Sequence, residues 1–561
     1  MCGIYCEIRA QEPITPSHEM ELLLRQRGPD HYGCIHESLI DPNETAPGLI
    51  RMTFAASVLG LRHDEDDKPV LQPLELSGDL GWLCWNGEAW KYDGKRIAGS
   101  DTRFIAERLS EVSGVAQDLH KKTIQILSKI RGPFAFVYFS RPNSRLYFGR
   151  DYVGRRSLLW SRDQNGSLFL SSVAMKTISA HWEEVEADGI YSLEITKALL
   201  SDFHAGYLTS FASRTPYVLA ADEEEGSITV PWSCINTALP PLVNDAALST
   251  AILSRLHENS CAVSSLLKVL TASIELRLPD RLNLKHPPVA ILFSGGLDCT
   301  LLARLAHECL HHDTMIDLLN VAFENPRVHK KIGTGTSPYE ACPDRITARQ
   351  SLAELRKICP NRCFNLVCIN VPFEDSMRFR GEISALIHPH DTEMDISIAM
   401  ALFFAARGPT QSKFLLSGLG ADELFGGYQR HALAYRRGGY SALLQELQLD
   451  VDRLGKRNLG RDDRVISRWG KEARYPYLDE GVIAWAMNAP IWEKVGFGFA
   501  QTDNEEGLLE HAALDDKLIL RCIAKKLGMA NVAEEKKRAI QFGSRSAKME
   551  SGRTKGSEKI C

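Results

Sequence analysis

Along the first two hundred residues the apolar positions come in short runs broken by Gly, Pro or Asn. DLGWLCWNGEAW, GPFAFVYFS and SRLYFGRDYVG are rich in aromatic and β-branched residues and read as strands. Between the first two, ERLSEVSGVAQDLHKKTIQILSKI spaces Leu, Val and Ile at helical intervals. Together they predict two sheet layers with helices packed outside, an α+β domain over 1–210. SRTPYVLAADEEEGSITVPWSCINTALPPLVND is acidic, turn-rich and aperiodic, and reads as a linker over 211–245. From about Ala246 the pattern changes. A long helical stretch, AALSTAILSRLHENSCAVSSLLKVLTASIELRL, precedes a buried strand, PPVAILF, then the turn SGGLDC and the helix TLLARLAHECL. FLLSGLGADELFGGY supplies a second strand ending in a glycine turn. These units predict a doubly wound parallel α/β domain over 246–545. The tail 546–561, SAKMESGRTKGSEKIC, is polar and is expected to be disordered.

With 561 residues the chain is too long for one core. Its 44% hydrophobic and 24% charged residues are ordinary for a globular protein, and a net charge of -5 gives no reason to expect nucleic acid. No apolar run has the length of a membrane span, and no signal peptide pattern opens the chain. A cytoplasmic protein with its 14 cysteines reduced is the expectation. The acidic runs at 64–67 and 222–225 read as solvated loops.

The chain begins MCGIYCEI. If Met1 is removed, Cys2 carries both a thiol and a free α-amine of pKa roughly 7.7–8.0, a base able to activate that thiol. On these residues alone Cys2 is either incidental or a nucleophile. Arg62 in VLGLRHDED is a carboxylate clamp or a surface ion pair. Asn86 and Gly87 in CWNGEAW suit an oxyanion hole, and Asp101 in AGSDTRFI suits a helix N-cap.

MCGI, LRQRGPD, LGLRH, WNGE and GSD, in this order, resemble the class II glutamine amidotransferase domain over 1 to about 210. The resemblance implies an N-terminal-nucleophile αββα sandwich. It makes Cys2 the nucleophile on glutamine's side-chain amide and Asn86 and Gly87 the oxyanion hole. Arg62 would bind the substrate carboxylate, and Glu88 and Asp101 its α-amine. GRDYVGRRSLLW resembles the family's strand pair, with Ser157 where proline is usual.

In SGGLDC a glycine turn between strand and helix offers N–H groups to an anion, although no Walker A Gly-Lys-Ser/Thr follows. It resembles the pyrophosphate loop of the ATP pyrophosphatases, which adenylate a substrate. Ser294, Gly295 and Gly296 would then cradle pyrophosphate, with Leu292 beside the nucleotide and Asp298 on Mg²⁺. Cys299 replaces the usual serine, and a thiol is the weaker phosphate partner. FLLSGLGADELFGGY, GKEARYPYLD and DDKLILRCI resemble asparagine synthetase signatures. That resemblance makes Asp422 the second Mg²⁺ ligand, Ser417 and Gly418 nucleotide contacts, and Lys517 a catalytic cation facing phosphates or acyl-adenylate.

Two departures point to a divergent branch of that family. Leu419 stands where synthetases carry glutamate in SGEG. HPHDTEMDISIAM, nearest to the aspartate-binding stretch, offers Asp391, Glu393 and Asp395 but no arginine. The expectation is a glutamine- and ATP-using enzyme that amidates a carboxylate acceptor, aspartate by family default. A different acceptor and a non-catalytic scaffold are the alternatives. Leu419 predicts weak or absent asparagine formation unless Asp391 or Glu393 supplies a base. His307, His311 and His312 read as an exposed helix end, and Cys359, Cys363 and Cys368 as irregularly spaced thiols without a fourth ligand.

Overall fold

The computed structural model describes residues 2–10, 15–40, 49–62, 68–112, 116–179, 181–196, 208–240, 256–279, 288–329, 337–497, 516–549 and 556–559. The longer strands of the first half are β1 (Gly3–Arg9), β2 (His31–Ile40), β3 (Leu49–Val58), β4 (Gly81–Gly87), β5 (Phe134–Ser140), β6 (Arg145–Arg150), β7 (Leu159–Arg162), β8 (Leu168–Ser171), β9 (Gly189–Glu194) and β10 (Ser213–Val218). One sheet runs Glu183–Glu184, β7, β8, β1, β3, β2. The other runs Ile228–Thr229, β10, β9, β6, β5, β4, Leu74–Glu75.

Alternation along the strands sets the layers. Ile4, Cys6 and Ile8 of β1 join Phe54, Phe139 and Phe148 in the core between the sheets. Tyr5, pointing the other way, shares a core with Met20 and Leu24 of helix α1 (His18–Arg27). Leu83 and Trp85 of β4 share the opposite outer core with Ile105 and Leu109 of α2 (Asp101–Ser110) and Leu127 of α3 (Ala116–Ser128). The result is an αββα sandwich.

The span expected as a linker is partly built into this sandwich. β10 pairs antiparallel with β9, and Ile228–Thr229 pairs parallel with β10. Pro216 disguises β10 in the sequence, because proline lacks a ladder donor and argues against a strand. The acidic run from Asp222 to Glu225 between them is exposed, and residues 64–67 lie outside the described residues.

In the second half β11 (Val289–Leu292), β12 (Ile316–Phe323), β13 (Phe364–Val371), β14 (Phe414–Leu416) and β15 (Glu472–Arg474) form a parallel sheet in the order β13–β12–β11–β14–β15. Helices α4 (Cys261–Leu276), α5 (Leu297–Cys309), α6 (Pro343–Ile358) and α7 (Glu393–Arg407) pack around it. α4 starts at Cys261, capped by Ser260, and residues 246–255 of the longer helix expected there lie outside the described residues. The strand order reverses between β11 and β14, so the two glycine turns open side by side into the crevice that such a reversal creates. No described helix is long and apolar enough to cross a membrane.

The tail departs from its expected disorder. Ser546 and Met549 are buried, and residues 556–559 dock on the start of α7, where Glu393 N–H donates to Glu558 O at 2.9 Å and Met394 N–H to Gly556 O at 3.0 Å. The first turn of a helix has unpaired N–H groups, and these capture the polar tail.

Buried ion pairs join the halves. Arg27 meets Asp463 at 2.7 Å, Arg155 meets Glu480 at 2.6 Å, Arg156 meets Glu472 at 3.0 Å, and Arg464 meets Glu184 at 2.7 Å. Asp463 and Arg464 lie on α8 (Leu459–Ser467). Ser157 belongs to this network: its N–H donates to Asp463 at 3.2 Å and its hydroxyl accepts from Arg464 at 2.8 Å. A proline there would make neither bond, which gives the departure at 157 a physical role.

Candidate active sites

Cys2 directly precedes β1, at the rim of the sandwich. Arg27 holds its backbone, donating from Nε to Cys2 O at 3.2 Å. Around its thiol lies a cavity of about 30 Å³ lined by Arg62, Gln72, Gly87, Glu88 and Asp101, and by Glu472 from the other half. Burial pushes the thiol above its ordinary pKa, so it needs a base to ionise. Gln72, which the sequence reading missed, has Nε2 at 3.8 Å from Sγ and accepts from Trp85 N–H at 2.6 Å.

Asn86 does not line this cavity. Its side chain is fully buried, and neither Nδ2 nor Oδ1 has a partner. A buried amide left unpaired costs about 1–3 kcal/mol. Asp101 is the first residue of α2 rather than its cap, a role taken by Ser100. The Asp101 carboxylate accepts from Ala89 N–H at 2.7 Å, Thr102 N–H at 2.9 Å and Trp85 Nε1 at 3.0 Å. Arg62 is no surface ion pair. Its guanidinium donates to Ala89 O at 2.9 Å and to Ile97 O, with Glu88 at 3.8 Å. Glu88 pairs with Arg474 of β15 at 3.1 Å. Burial first and the nearby Glu472 second raise it to about 8, against the pull of Arg474.

The second site is a cavity of about 970 Å³ at the switch point. Leu292, Ser294, Gly296, Asp298, Ser417, Gly418, Asp422 and Lys517 all line it. Gly295 does not. It sits at φ 83° with the backbone of Ala348 2.4 Å from where a Cβ would be, so it is the residue that lets the turn pass under α6. Its carbonyl accepts from Ser351 Oγ at 2.6 Å and Thr300 Oγ1 at 3.2 Å. Cys299 lines the cavity and donates to Gly296 O at 3.3 Å.

Lys517, just before the helix Leu518–Lys526, bridges the carboxylates. Its Nζ lies 2.8 Å from Asp298 and 3.0 Å from Asp422. Lys537, missed in a basic run, lies 3.0 Å from Asp422 and over the Tyr428 ring. These two ammonium groups outweigh burial and hold Asp422 well below the usual carboxylate range. Both carboxylates converge on one point and offer only oxygen, a donor set that fits a hard divalent cation.

Leu419 lines the cavity and also packs on the core. Asp391 and Glu393 do not line it: Asp391 pairs with Lys559 at 2.8 Å and Glu393 with Arg380 at 2.5 Å. The Asp391 carboxylate and the Glu393 N–H serve the docked tail instead. Asp395 does face the cavity, bound to Arg461 at 2.6 Å. Arg430, Arg453 and Arg461, all outside that local stretch, also line this space.

His307 turns to Arg362, while His311, His312 and Asp313 gather at the end of α5, the latter two exposed. Among the described residues Cys359, Cys363 and Cys368 join no metal-binding group.

Comparison with known families agrees with both halves. A glutamine amidotransferase domain model matches residues 1–204, and an asparagine synthase model matches 268–445 and 435–556. Asparagine synthetase domain-containing protein 1 of Bos taurus is 32% identical over 100% of this chain and 98% of its own. Asparagine synthetase domain-containing protein YML096W of Saccharomyces cerevisiae is 32% identical over 89% of this chain and 84% of its own. Asparagine synthetase (glutamine-hydrolyzing) 1 of the same yeast is 22% identical over 88% and 77%.

Proposed function

The chain belongs to the family of asparagine synthetase domain-containing proteins, and from that premise we propose a glutamine-dependent, ATP-using amidotransferase with two linked sites. At the first, removal of Met1 frees the Cys2 amine to take the thiol proton. The thiolate attacks the side-chain amide of glutamine, the amine returns that proton to the departing ammonia, and water hydrolyses the thioester to glutamate and the free thiol. The Asn86 amide and Gly87 N–H stabilise the oxyanion, Arg62 binds the α-carboxylate, and Glu88 and Asp101 bind the α-ammonium. The gathering of Cys2, Arg62, Gly87, Glu88 and Asp101 around one cavity supports this reading.

At the second, the turns at Ser294–Gly296 and Ser417–Gly418 receive ATP, Leu292 flanks the nucleotide, and Lys517 faces the phosphates. Asp298 and Asp422 would hold Mg²⁺, which when bound neutralises phosphate charge. The acceptor carboxylate attacks the α-phosphate of ATP and expels pyrophosphate, and ammonia then displaces AMP from the acyl-adenylate to give the amide. Aspartate is the default acceptor. A different carboxylate is favoured by Leu419, which lines the cavity where a base would be useful and has no proton to exchange.

ATP–pyrophosphate exchange over a panel of amino acids and other carboxylates identifies the acceptor. Ammonia release from glutamine tests the first site. Exchange with aspartate at a full synthetase rate, with no gain in Leu419→Glu, removes the case for another acceptor. Absence of both activities ends the enzymatic reading.

A further inference from the structure

The cavity of about 30 Å³ beside Cys2 is walled from both halves. One wall is Glu472 on β15, the edge strand of the other half's sheet.

Two residues along that strand, Arg474 touches both sites. Its guanidinium holds Glu88 at 3.1 Å and Glu472 at 2.8 Å. It lies between the ring of Trp90, 5.1 Å away beside the glutamine pocket, and the ring of Phe414, 4.1 Å away at the start of β14. Its backbone carbonyl accepts from Ser417 N–H at 2.9 Å, the residue that opens the second glycine turn. A movement of β15 that accompanies glutamine binding would reach Ser417 through the β14–β15 ladder, which this hydrogen bond ends.

We propose that Arg474 is a positioning residue coupling the two sites, so that the placement of β15 that favours glutamine is also the one that best holds nucleotide at Ser417. This rests on the two-site function above and adds a thermodynamic link to it. Linkage requires the effect to be mutual: nucleotide raises glutamine affinity by the same factor by which glutamine raises nucleotide affinity.

The test uses full-length Cys2→Ala protein, which binds without hydrolysis. Calorimetry measures glutamine affinity with and without a non-hydrolysable ATP analogue plus Mg²⁺, and then the reverse titration. The expected factor is about 5 or more in both directions. Adding Arg474→Lys, which keeps the charge and loses the fork, brings the factor towards one. Adding Arg155→Lys, at a buried crossing pair that touches neither site, leaves the factor in place although the fold is weakened. If Arg474→Lys does not fold, Glu472→Gln replaces it, with the same loss expected. Ligands that both bind without influencing each other overturn the coupling alone. So does a factor that survives Arg474→Lys, or one that Arg155→Lys abolishes equally. Glutamine that fails to bind at all overturns the proposed function, and the coupling with it.

Discussion

The pocket beside Cys2 encloses about 30 Å³ and the crevice under the two glycine turns about 970 Å³. The contrast follows from topology. A parallel sheet whose strand order reverses leaves a crevice at the reversal without any side chain having to make room. A sandwich closes on itself, so Cys2 and its neighbours lie at a packed rim. The charges differ in the same way. In the crevice the two carboxylates face two ammonium groups, Lys517 and Lys537, so the charges offset within the site. At the rim the Asn86 amide is held without a partner, and Glu88 lies among like and unlike charges from both halves.

Substitutions that silence one site and spare the other sharpen this comparison most. Cys2→Ala is expected to lower glutamine hydrolysis by about 10³-fold or more, as loss of a nucleophile does, with nucleotide affinity unchanged by calorimetry. Lys517→Met should do the reverse, cutting ATP–pyrophosphate exchange by roughly 10²–10³-fold while glutamine hydrolysis persists. If Lys517→Met abolishes both activities in protein that still melts cooperatively, the two sites are less separable than their geometry implies. Ser157→Pro breaks the comparison from between: it removes two hydrogen bonds to charged groups, should lower stability by about 2–4 kcal/mol in chemical denaturation, and should weaken both activities together.

The smallest effect is in pH. Glu88, raised to about 8, is neutral at lower pH, and binding the glutamine ammonium requires its carboxylate, so binding releases a proton. The KM for glutamine should fall as pH rises towards 8, by about tenfold per unit at most, and Glu88→Gln should flatten the slope. For stability the sign is opposite. The folded chain keeps a proton that the unfolded chain releases in the ordinary carboxylate range, so this contribution is present at low pH and is lost as pH rises through about 8.

The layering was legible because strand alternation and the two glycine turns are local signals. Cys2, Arg62, Gly87, Glu88 and Asp101 were nameable for the same reason, since each sits in a short motif. The parts of the site that stayed hidden come from far along the chain. Glu472 stood in a motif already noted, but nothing in its neighbours shows that it faces Cys2. Arg461, which pairs with Asp395, lies 66 residues away along the chain. Gly295 looked like its neighbours Ser294 and Gly296, and only the closeness of α6 distinguishes its task.

The seam of buried charges between the halves has a consequence for descent. Asp463 receives Arg27 at 2.7 Å and the Ser157 N–H at 3.2 Å, with Arg156 at 3.9 Å. Losing one member of such a pair costs about 3–5 kcal/mol, a large share of the roughly 5–15 kcal/mol that holds a typical protein folded. A lineage that changes one side must change the other almost at once or lose the fold. The two halves therefore drift as one inherited unit, and exchanging either half between distant relatives should fail at this seam before either site is affected.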